Sequence, residues 1–527
     1  MPQFLYTRLQ NFLNYDMFKP IFSRTYMKKP YYITTTLPYV NAEAHLGHAL
    51  EFIQADAIAR YHRFLGEEVM FNTGTDEHGL KIYRKALENN ETPQQYCDRY
   101  ALKFQALKET FNLSYTNFVR TTDESHKAAA QEFWRRCEKN GDIYKKQYAV
   151  KYCVGCELEK TDSELVDGRC PIHPTYEVEL INEENYFFKW SRYQEALLKH
   201  YADHPDFVVP SNRLSEIRNF VASGLQDFSI SRLKDKMPWG VPVPGDDSQV
   251  MYVWFDALVN YISTLGWPNG DAFAEYWPGI QIAGKDNLRQ QSAMWQGMLL
   301  SAGVPLSKQI FIHGFVTSNG QKMSKSIGNV VNPVELIQKY TLDPVRFFFL
   351  GAVSSYDDGD FTYERFEEYY TASLVNGIGN LTSRILTMIE KYSDGKIPSA
   401  QTSEFFGREN FWGRYQNYFD QYQFEMVVSS IMSIVAECDA KISADKPWEL
   451  AKQGQDISGL LYQLTETLRH IALALLPIIP QSAEKILASL GIALSDLGTL
   501  AEESVWGKLA PGTAVQKGDI LFPRLVK

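Results

Sequence analysis

Two spacings of apolar and polar positions, one typical of strands and one of helices, alternate along the first 330 residues. Short apolar runs typical of buried strands occur at positions 31–36, 67–72, 250–255, 280–286 and 309–314. Longer runs with helical spacing separate them, as at 49–61 and 127–140, and the second of these stops at Gly141. Strands that alternate with helices predict an α/β fold built on a parallel sheet.

This alternation is interrupted once and then ends. Positions 142–245 carry a cysteine cluster and a polar stretch instead of strands and helices in turn. After Pro344, apolar residues recur at helical spacing as far as Leu497, as in 456–475. We therefore expect a sheet domain split by an insertion of about a hundred residues, followed by an all-α part.

Composition narrows the class of protein. The 527 residues suffice for several domains, since one domain takes about 100–200 residues. A net charge of −10 argues against a uniformly basic surface, so an RNA partner would have to meet local basic or aromatic patches. Six cysteines do not suggest a disulfide scaffold. No apolar run approaches the roughly 20 residues of a membrane span. Three of the cysteines cluster, which fits a reduced compartment, so we expect a cytoplasmic protein.

The first residues differ from the rest. Residues 1–26 are aromatic and mildly basic, with Asp16 as their one acid, which is the bias of organellar transit peptides. They lack the serine richness of such peptides, however. We expect an extension ahead of Met27 that packs poorly, and a targeting segment stays open as the alternative.

A histidine motif follows the first predicted strand. His45, Leu46, Gly47 and His48 open the helical run. Gly47 lets a ligand approach the backbone closely, while the amides at the helix start and both imidazoles offer donors to an anion. Taken alone, this is an ordinary helix start in any nucleotide-binding fold.

A second motif, which carries two lysines, makes the interpretation of the histidine motif more specific. Lys322 and Lys325, in Lys-Met-Ser-Lys-Ser, put two ammonium groups on one glycine-flanked loop that can close over a triphosphate. Together the two motifs predict an ATP site, with His45 and His48 at the α-phosphate and the lysines at the β- and γ-phosphates. Mg²⁺ is the expected metal bridge, and a carboxylate already ionised at pH 7 attacks the α-phosphorus.

The cysteine cluster predicts a metal site. Cys153 and Cys156 form C-x₂-C, and Cys170 and His173 form C-x₂-H after thirteen residues. Three thiolates and one imidazole give zinc a closed tetrahedron, so its role would be structural. The alternative is a set of incidental cysteines. The other three, Cys97, Cys137 and Cys438, lie in apolar helical settings typical of core thiols.

Further candidates carry weaker signals. Trp254 and Trp295 are most often plain core, yet a pocket for a thioether also needs aromatic walls. Asp76 is the candidate acid for a substrate's α-ammonium. In the helical part, three residues have the chemistry to read unpaired bases if they are exposed, although buried or surface helix positions would explain them as well. They are Asn380, Arg384 and Trp448.

The combined motifs resemble the methionyl-tRNA synthetases, the class I aminoacyl-tRNA synthetases with a single zinc knuckle, from about Tyr31 to the end. The resemblance rests on both signature motifs, the cysteine knuckle, Leu37-Pro38-Tyr39, Thr75-Asp76-Glu77-His78-Gly79 and Val253-Trp254-Phe255-Asp256-Ala257. It implies a ligase that activates L-methionine with ATP and transfers methionyl to the 3′-terminal adenosine of methionine tRNA. It also implies anticodon contacts at Asn380, Arg384 and Trp448.

The resemblance further implies domains and a methionine site. The implied domains are an extension (1–29), a Rossmann catalytic domain in two halves (30–141 and 246–330), a connective insertion (142–245) with its zinc knuckle (150–176), a stem-contact segment (331–372) and a helical anticodon-binding domain (373–527). The implied methionine site comprises Leu37, Tyr39, Asp76, Arg232, Trp254, Ala257, Tyr261, Gln291 and Trp295. Gln291 stands where the family usually has histidine, and Gln291→His should be tolerated. We expect a monomer.

Three alternatives remain open. Another class I synthetase would need a larger editing insertion or a zinc with an open coordination position. A synthetase-derived RNA-binding protein without catalysis would have lost a histidine or lysine of the two motifs. An adenylyltransferase without an RNA function would leave the long helical part unexplained.

Overall fold

Within the described residues, both strands and helices occur as far as residue 361, and helices with their connections make up the rest. The computed structural model describes residues 28–156, 158–160, 162–323, 329–400 and 410–525. Their strands are β1 (Pro30–Thr35), β2 (Glu68–Thr75), β3 (Asn117–Arg120), β4 (Ile143–Cys153), β5 (Leu158–Lys160), β6 (Val178–Phe188), β7 (Val208–Val209), β8 (Phe228–Ser229), β9 (Ser231–Leu233), β10 (Pro242–Val243), β11 (Asp246–Met251), β12 (Ile280–Gly284), β13 (Gln309–His313), β14 (Val316–Ser318), β15 (Gln321–Lys322) and β16 (Gly359–Phe361).

The helices follow the same order along the chain. They are α1 (Leu46–Phe64), α2 (Leu80–Glu88), α3 (Pro93–Thr110), α4 (Glu124–Lys139), α5 (Gln194–Asp203), α6 (Ser211–Ala222), α7 (Val253–Ala257), α8 (Asn260–Ser263), α9 (Asp271–Tyr276), α10 (Trp295–Ala302), α11 (Pro333–Tyr340), α12 (Leu342–Gly351), α13 (Tyr363–Tyr369), α14 (Asn380–Tyr392), α15 (Phe411–Asp420), α16 (Phe424–Asp445), α17 (Pro447–Lys452), α18 (Ser458–Leu475), α19 (Pro480–Ser489) and α20 (Leu500–Glu503). π-Helical turns occur at Gln290–Met294 and Tyr370–Gly379. None of the described helices is long and apolar enough to cross a membrane.

A parallel sheet lies at the centre of the first part. Within the described residues its strands run in the order β3-β2-β1-β12-β13-β7, and every neighbouring pair is parallel. Strands β1 and β12 are buried along nearly their whole length, which is why they read as continuous apolar runs. Because β1 pairs with β12, the sheet joins chain from both sides of the insertion, as predicted.

The insertion has antiparallel sheets of its own. Strands β5, β4, β6 and β8 form one, and β10, β11 and β9 form another, although β11 begins at Asp246, just beyond the range assigned to the insertion. The long pairing of β4 with β6 reaches Cys153, at the start of the cysteine cluster. Strand β7 lies within the range assigned to the insertion but pairs with β13 at the edge of the central sheet.

One apolar core continues from the central sheet into the helical part. At this junction Arg346 of α12 is fully buried and forms an ion pair with Asp56 of α1 at 2.8 Å. Its guanidinium also donates to the carbonyls of Ile478 at 2.9 Å and Pro477 at 3.1 Å. The helix that begins at the histidine motif is therefore tied directly to the turn between α18 and α19.

One predicted strand is wrong in its second half. The run 250–255 was expected to be extended, but β11 ends at Met251 and α7 begins at Val253. The cause lies elsewhere in the chain, because Asp256 of α7 bonds to His78 and His126 in the interior. An apolar run this short does not by itself distinguish a strand from a buried helix.

Candidate active site and metal centre

The histidine motif caps the first helix. His45 is the N-cap residue of α1, and its Nδ1 accepts the N–H of Gly47 at 3.1 Å. In return, Nδ1 of His48 accepts the N–H of His45 at 3.4 Å, and the two rings stack at 3.9 Å. Since both Nδ1 atoms accept, each neutral ring carries its proton on Nε2 and can donate it to a ligand.

The environment keeps His48 neutral. Burial, and secondarily the neighbouring His45, holds the pKa of His48 well below its ordinary value. A neutral imidazole can donate a hydrogen bond without adding charge, and the positive end of the helix dipole lies beside it. The start of α1 thus offers an anion two Nε2–H donors.

A buried carboxylate one turn further along α1 ties the strand ends together, and the sequence analysis missed it. Oε1 of Glu51 accepts the N–H of Thr36 at 2.7 Å and its hydroxyl at 2.6 Å. Oε2 lies 3.1 Å from Nε2 of His313, at the end of β13. Burial works to lower the pKa of His313, but its contacts with Glu51 outweigh burial and raise it. The one available signal was an acid within an apolar helical run.

The lysine motif begins in a hairpin. Strand β15 pairs with β14 so that Lys322 lies opposite Thr317, and Met323 packs on the main apolar core. The backbone of Lys322 is described, whereas Lys325 lies outside the described residues. The roles of both lysines stay predictions.

Three residues of the predicted methionine site contact one another. Nε2 of Gln291 donates to the hydroxyl of Tyr261 at 2.7 Å. The Tyr261 and Trp295 rings are 5.9 Å apart, and Trp295 stacks on Phe133 at 5.5 Å. These side chains are buried, so together they form an aromatic wall with one amide on it.

A second group lies around Asp76. The N–H of Asp76 donates to the carbonyl of Pro38 at 2.9 Å, and Tyr39 lies beside Asp76 in a parallel bridge. Tyr39 and Trp254 both pack on a small cluster that includes Tyr152. Leu37, the residue before Pro38, is half-buried. The segment after β1 therefore runs alongside the end of β2.

Arg232 and Ala257 complete the predicted set. The Arg232 guanidinium is buried, donates to Ser229 Oγ at 2.8 Å and lies over the Tyr252 ring at 4.5 Å. Ala257 is buried at the end of α7, four positions before Tyr261 in the sequence. The helices α7 and α8 thus connect the Trp254 side of the site to its Tyr261 side.

The cysteine cluster has the geometry of a metal site. The ligand atoms of Cys153, Cys156, Cys170 and His173 lie within 4.8 Å of one another. Sγ of Cys156 is 3.4 Å from Sγ of Cys170 and 3.2 Å from Nδ1 of His173. Zn–S bonds of about 2.3 Å in a tetrahedron put ligand atoms at about such separations. The predicted core thiols Cys97, Cys137 and Cys438 are buried elsewhere.

Comparison with known proteins identifies the family. A family model described as class I tRNA synthetases (M) matches residues 31–177 and 175–386. Methionine–tRNA ligase from Thermosynechococcus vestitus is 41% identical over 522 residues, with 95% of this chain and 98% of that relative covered. Its counterpart from Caldanaerobacter subterraneus is also 41% identical, with coverage of 95% and 79%. The chain belongs to the methionyl-tRNA synthetase family of class I tRNA synthetases.

A solved structure of this family matches the fold. Methionyl-tRNA synthetase from Mycobacterium tuberculosis, in complex with methionyl-adenylate, superposes with a TM-score of 0.89 at 38% identity. The match covers 94% of this chain and all of that one. Membership confirms the predicted family, the parallel-sheet fold with a helical C-terminal region and the ATP-dependent aminoacyl-tRNA ligase activity. The assignments of individual site residues and the domain bounds stay predictions.

The residues expected at the anticodon lie on two helices of the C-terminal part. Asn380 is exposed and begins α14. Arg384, one turn later, is half-buried, and its Nη1 lies 2.5 Å from Oδ1 of Asp439 on α16. Trp448 follows Pro447 at the start of α17 and keeps 37% of its surface exposed. Such an exposed aromatic ring is available for stacking.

Proposed function

We propose that this chain activates L-methionine with ATP to methionyl-adenylate and pyrophosphate, and then transfers the methionyl group to the 3′-terminal adenosine of methionine tRNA. The observation that carries the proposal is the likeness, over 94% of the chain, to a relative solved with methionyl-adenylate. The histidine-capped helix and the aromatic wall around Tyr261 provide matching chemistry. The chain's own residues have separate tasks in each step.

In the first step the site positions charge. The methionine carboxylate attacks the α-phosphorus, so catalysis depends on alignment and on stabilising charge in the transition state. Nε2–H of His45 and of His48 donates to the α-phosphate region, and Gly47 leaves room for the nucleotide. A Cβ on Gly47 would lie 3.0 Å from the His45 ring. ATP enters with Mg²⁺, and Lys322 and Lys325 bind its outer phosphates until pyrophosphate leaves.

The methionine site divides between the two groups of residues. Asp76 binds the α-ammonium, because an ionised acid offers it both charge and acceptors. Tyr261, Trp295 and Trp254 surround the side chain, where contacts of sulfur with aromatic rings contribute about 0.3–1.5 kcal/mol each. Leu37, Tyr39, Arg232, Ala257 and Gln291 complete the site.

Zinc has a structural role in this proposal. Three thiolates and one imidazole form a donor set that suits Zn²⁺ and leaves no coordination position for a substrate. Cys153, Cys156, Cys170 and His173 would hold the metal, and this would cross-link the loops at the end of the β4–β6 ribbon. Metal binding there would stabilise the fold of the knuckle.

An open cleft supports a path for the unpaired end of the tRNA. It has a volume of about 450 Å³ and lies between the segment before His45, helices α2 and α3, and the knuckle. It is lined by Asn41, Ala42, Lys81, Lys85, Asn89, Tyr96, Tyr100 and Tyr176. Tyrosine rings for stacking and ammonium groups for phosphates suit single-stranded RNA. In the helical part, Asn380, Arg384 and Trp448 read the anticodon, and the protein acts as a monomer.

Pyrophosphate exchange into ATP, with each of the twenty amino acids offered singly, tests the first step. We expect exchange with methionine alone. Exchange with a different amino acid would overturn the substrate, and no exchange from folded, zinc-loaded protein would overturn the reaction.

Aminoacylation of methionine tRNA tests the second step. We expect Trp448→Ala to raise the KM for tRNA by about tenfold, since stacking on one base is worth about 1–3 kcal/mol, and to leave pyrophosphate exchange unchanged. Met426→Ala, at another exposed apolar position of the helical part, is the matched control. Equal KM values for the two variants would contradict the anticodon assignment, and gel filtration at the mass of a dimer would contradict the monomer.

A further inference from the structure

A buried carboxylate lies between two imidazoles behind the predicted methionine site. Oδ2 of Asp256 is 2.6 Å from Nδ1 of His78, and its Oδ1 is 2.9 Å from Nε2 of His126. The second ring nitrogen of His126 lies 2.9 Å from Oγ of Ser263. Asp256 and His126 are fully buried, and His78 is 2% exposed. The side chains form one continuous network, which we call the His–Asp–His network.

The carboxylate in this network is ionised. Burial works to raise the pKa of Asp256, but contacts with His78 and His126 outweigh it and lower the pKa to about 2. Burying a charge costs free energy unless directed hydrogen bonds compensate it. Apolar residues would fill the same space at a smaller cost in free energy. Hydrogen-bonded side chains fix the orientation of the segments that carry them, because an N–H···O bond fixes both distance and angle while apolar packing fixes neither.

Each member of the network belongs to a different wall of the site. His78 follows Asp76 by two residues. Asp256 lies in α7 between Trp254 and Ala257, and Ser263 lies in α8 with Tyr261. His126 belongs to α4, which also supplies the Phe133 ring that stacks on Trp295 at 5.5 Å. The network therefore holds the end of β2 against α4, α7 and α8.

We propose that Asp256 is a positioning residue that sets the methionine site through two arms, one leading by way of His78 to Asp76 and the other by way of His126 and Ser263 to Tyr261. This inference rests on the proposed function, in which Asp76 binds the α-ammonium and Tyr261 contacts the side chain. The first arm orients the ammonium partner, and the second arm orients the aromatic wall.

Substitutions in the two arms should weaken the binding of different parts of methionine. His78→Asn removes the imidazole that anchors the segment carrying Asp76, two residues earlier, to Asp256, so it weakens recognition of the ammonium only. His126→Gln removes the link to Ser263, so it weakens binding of the methionine side chain. It therefore affects every ligand that carries the thioether. Asp256→Ala removes both arms. Asp256→Asn keeps one acceptor oxygen, so it should lie between wild type and Asp256→Ala.

The experiment measures both KM values in pyrophosphate exchange, using full-length, zinc-loaded protein. Asp256→Ala should raise the KM for methionine about 10–100-fold, by analogy with the loss of metal affinity or activity when a residue that orients a metal ligand is removed, and should change the KM for ATP less. Glu67→Gln is the matched control, because Glu67 pairs with His62 at 2.6 Å at the far end of α1. It removes a carboxylate from a histidine without touching the network.

A methionine analogue separates the arms. Inhibition by 4-(methylthio)butanoate, which lacks the amino group, should be unchanged in His78→Asn and weakened in His126→Gln. Should Asp256→Ala fail to fold, these two variants and Asp256→Asn carry the test, since each leaves a contact in place. Thermal unfolding of each variant identifies any general loss of stability.

The outcomes are distinguishable. If Asp256→Ala or Asp256→Asn lowers Tm with the KM for methionine unchanged, as is expected of Glu67→Gln, the network is only structural and the inference fails. Equal weakening of methionine and analogue in His78→Asn would overturn the first arm. If Asp76→Asn leaves the KM for methionine unchanged, the proposed ammonium site itself fails. If Asp76→Asn raises that KM and the network variants do not, the inference alone fails.

Discussion

The knuckle depends on a glycine that faces one of its ligands. A Cβ built on Gly155 would lie 2.5 Å from Cγ, 2.8 Å from Cδ2 and 2.9 Å from Cβ of His173. Ordinary contacts begin at 3.4 Å, so Gly155→Ala must move the ring or the turn by about 0.9 Å, the difference between 3.4 and 2.5 Å. Metal–ligand distances tolerate only about 0.2 Å. Either the imidazole or, if the turn moves, the adjacent ligand Cys156 cannot then keep its place in the tetrahedron.

The expected loss of zinc affinity follows from that displacement. Changes that only reorient a ligand cost about 10–100-fold in metal affinity, so displacing the ligand itself should cost at least about 100-fold. At about 1.4 kcal/mol for each tenfold change, that is about 2.8 kcal/mol. Because zinc binding is coupled to folding of the knuckle, proteolysis within residues 150–176 should accelerate as well.

Zinc release to a chromogenic chelator measures the effect. Gly168→Ala is the matched control within the same knuckle, because Gly168 has a φ of +74° and its added Cβ would meet nothing within 4 Å. The substitution costs backbone strain of about 1–2 kcal/mol without touching a ligand, so its zinc should stay bound. Release from Gly155→Ala as slow as from wild type would refute the reasoning, and so would equal release from the two variants.

Three further outcomes are expected. Gln291→His should keep the KM for methionine within about tenfold, since an imidazole N–H can replace the amide donor to Tyr261, and a hundredfold loss of kcat/KM would contradict this. His48 has a lowered pKa in the folded chain, so the unfolded chain binds more protons and acid below about pH 6.5 should destabilise the fold. Urea unfolding at pH 7.5 and 5.5 should show a smaller decrease for His48→Asn than for wild type. Arg346→Met should lower the unfolding free energy by about 3–5 kcal/mol, because it leaves the buried Asp56 carboxylate without its fully buried partner, and Arg60→Met, at the partly exposed second partner of Asp56, should cost less.

The sequence predicts those features that residues close together in the chain determine. Central strands buried on both faces read as apolar runs, and the four knuckle residues fall in two short motifs whose spacing alone indicates a metal. Tyr261 and Gln291 entered only through the family resemblance, since nothing in their immediate neighbourhood distinguishes them from core. The helix α7 was missed because Val253 to Phe255 are as apolar as a strand.

The remaining contacts join residues that are far apart along the chain. Asp256 is 178 positions from His78 and 130 from His126, and Glu51 is 262 positions from His313. Glu51, Asp256 and His313 are each a single polar residue within an apolar stretch, whereas His78 and His126 stand among other polar residues. Neither setting forms a pattern that marks the residue. Only the strand order decides which of these residues come into contact.

That strand order explains why the site forms where it does. Parallel strands end at one edge of the sheet, so Thr36 after β1, Asp76 after β2 and His313 at the end of β13 converge there. Glu51 fastens the first and last of these segments together, and the His–Asp–His network fastens the second to α7. The ATP and methionine sites proposed here are thus held by different carboxylates on one sheet edge. It follows that Glu51→Gln should raise the KM for ATP more than that for methionine, the reverse of Asp256→Asn, and the same pattern in both variants would show that the two sites are not held separately.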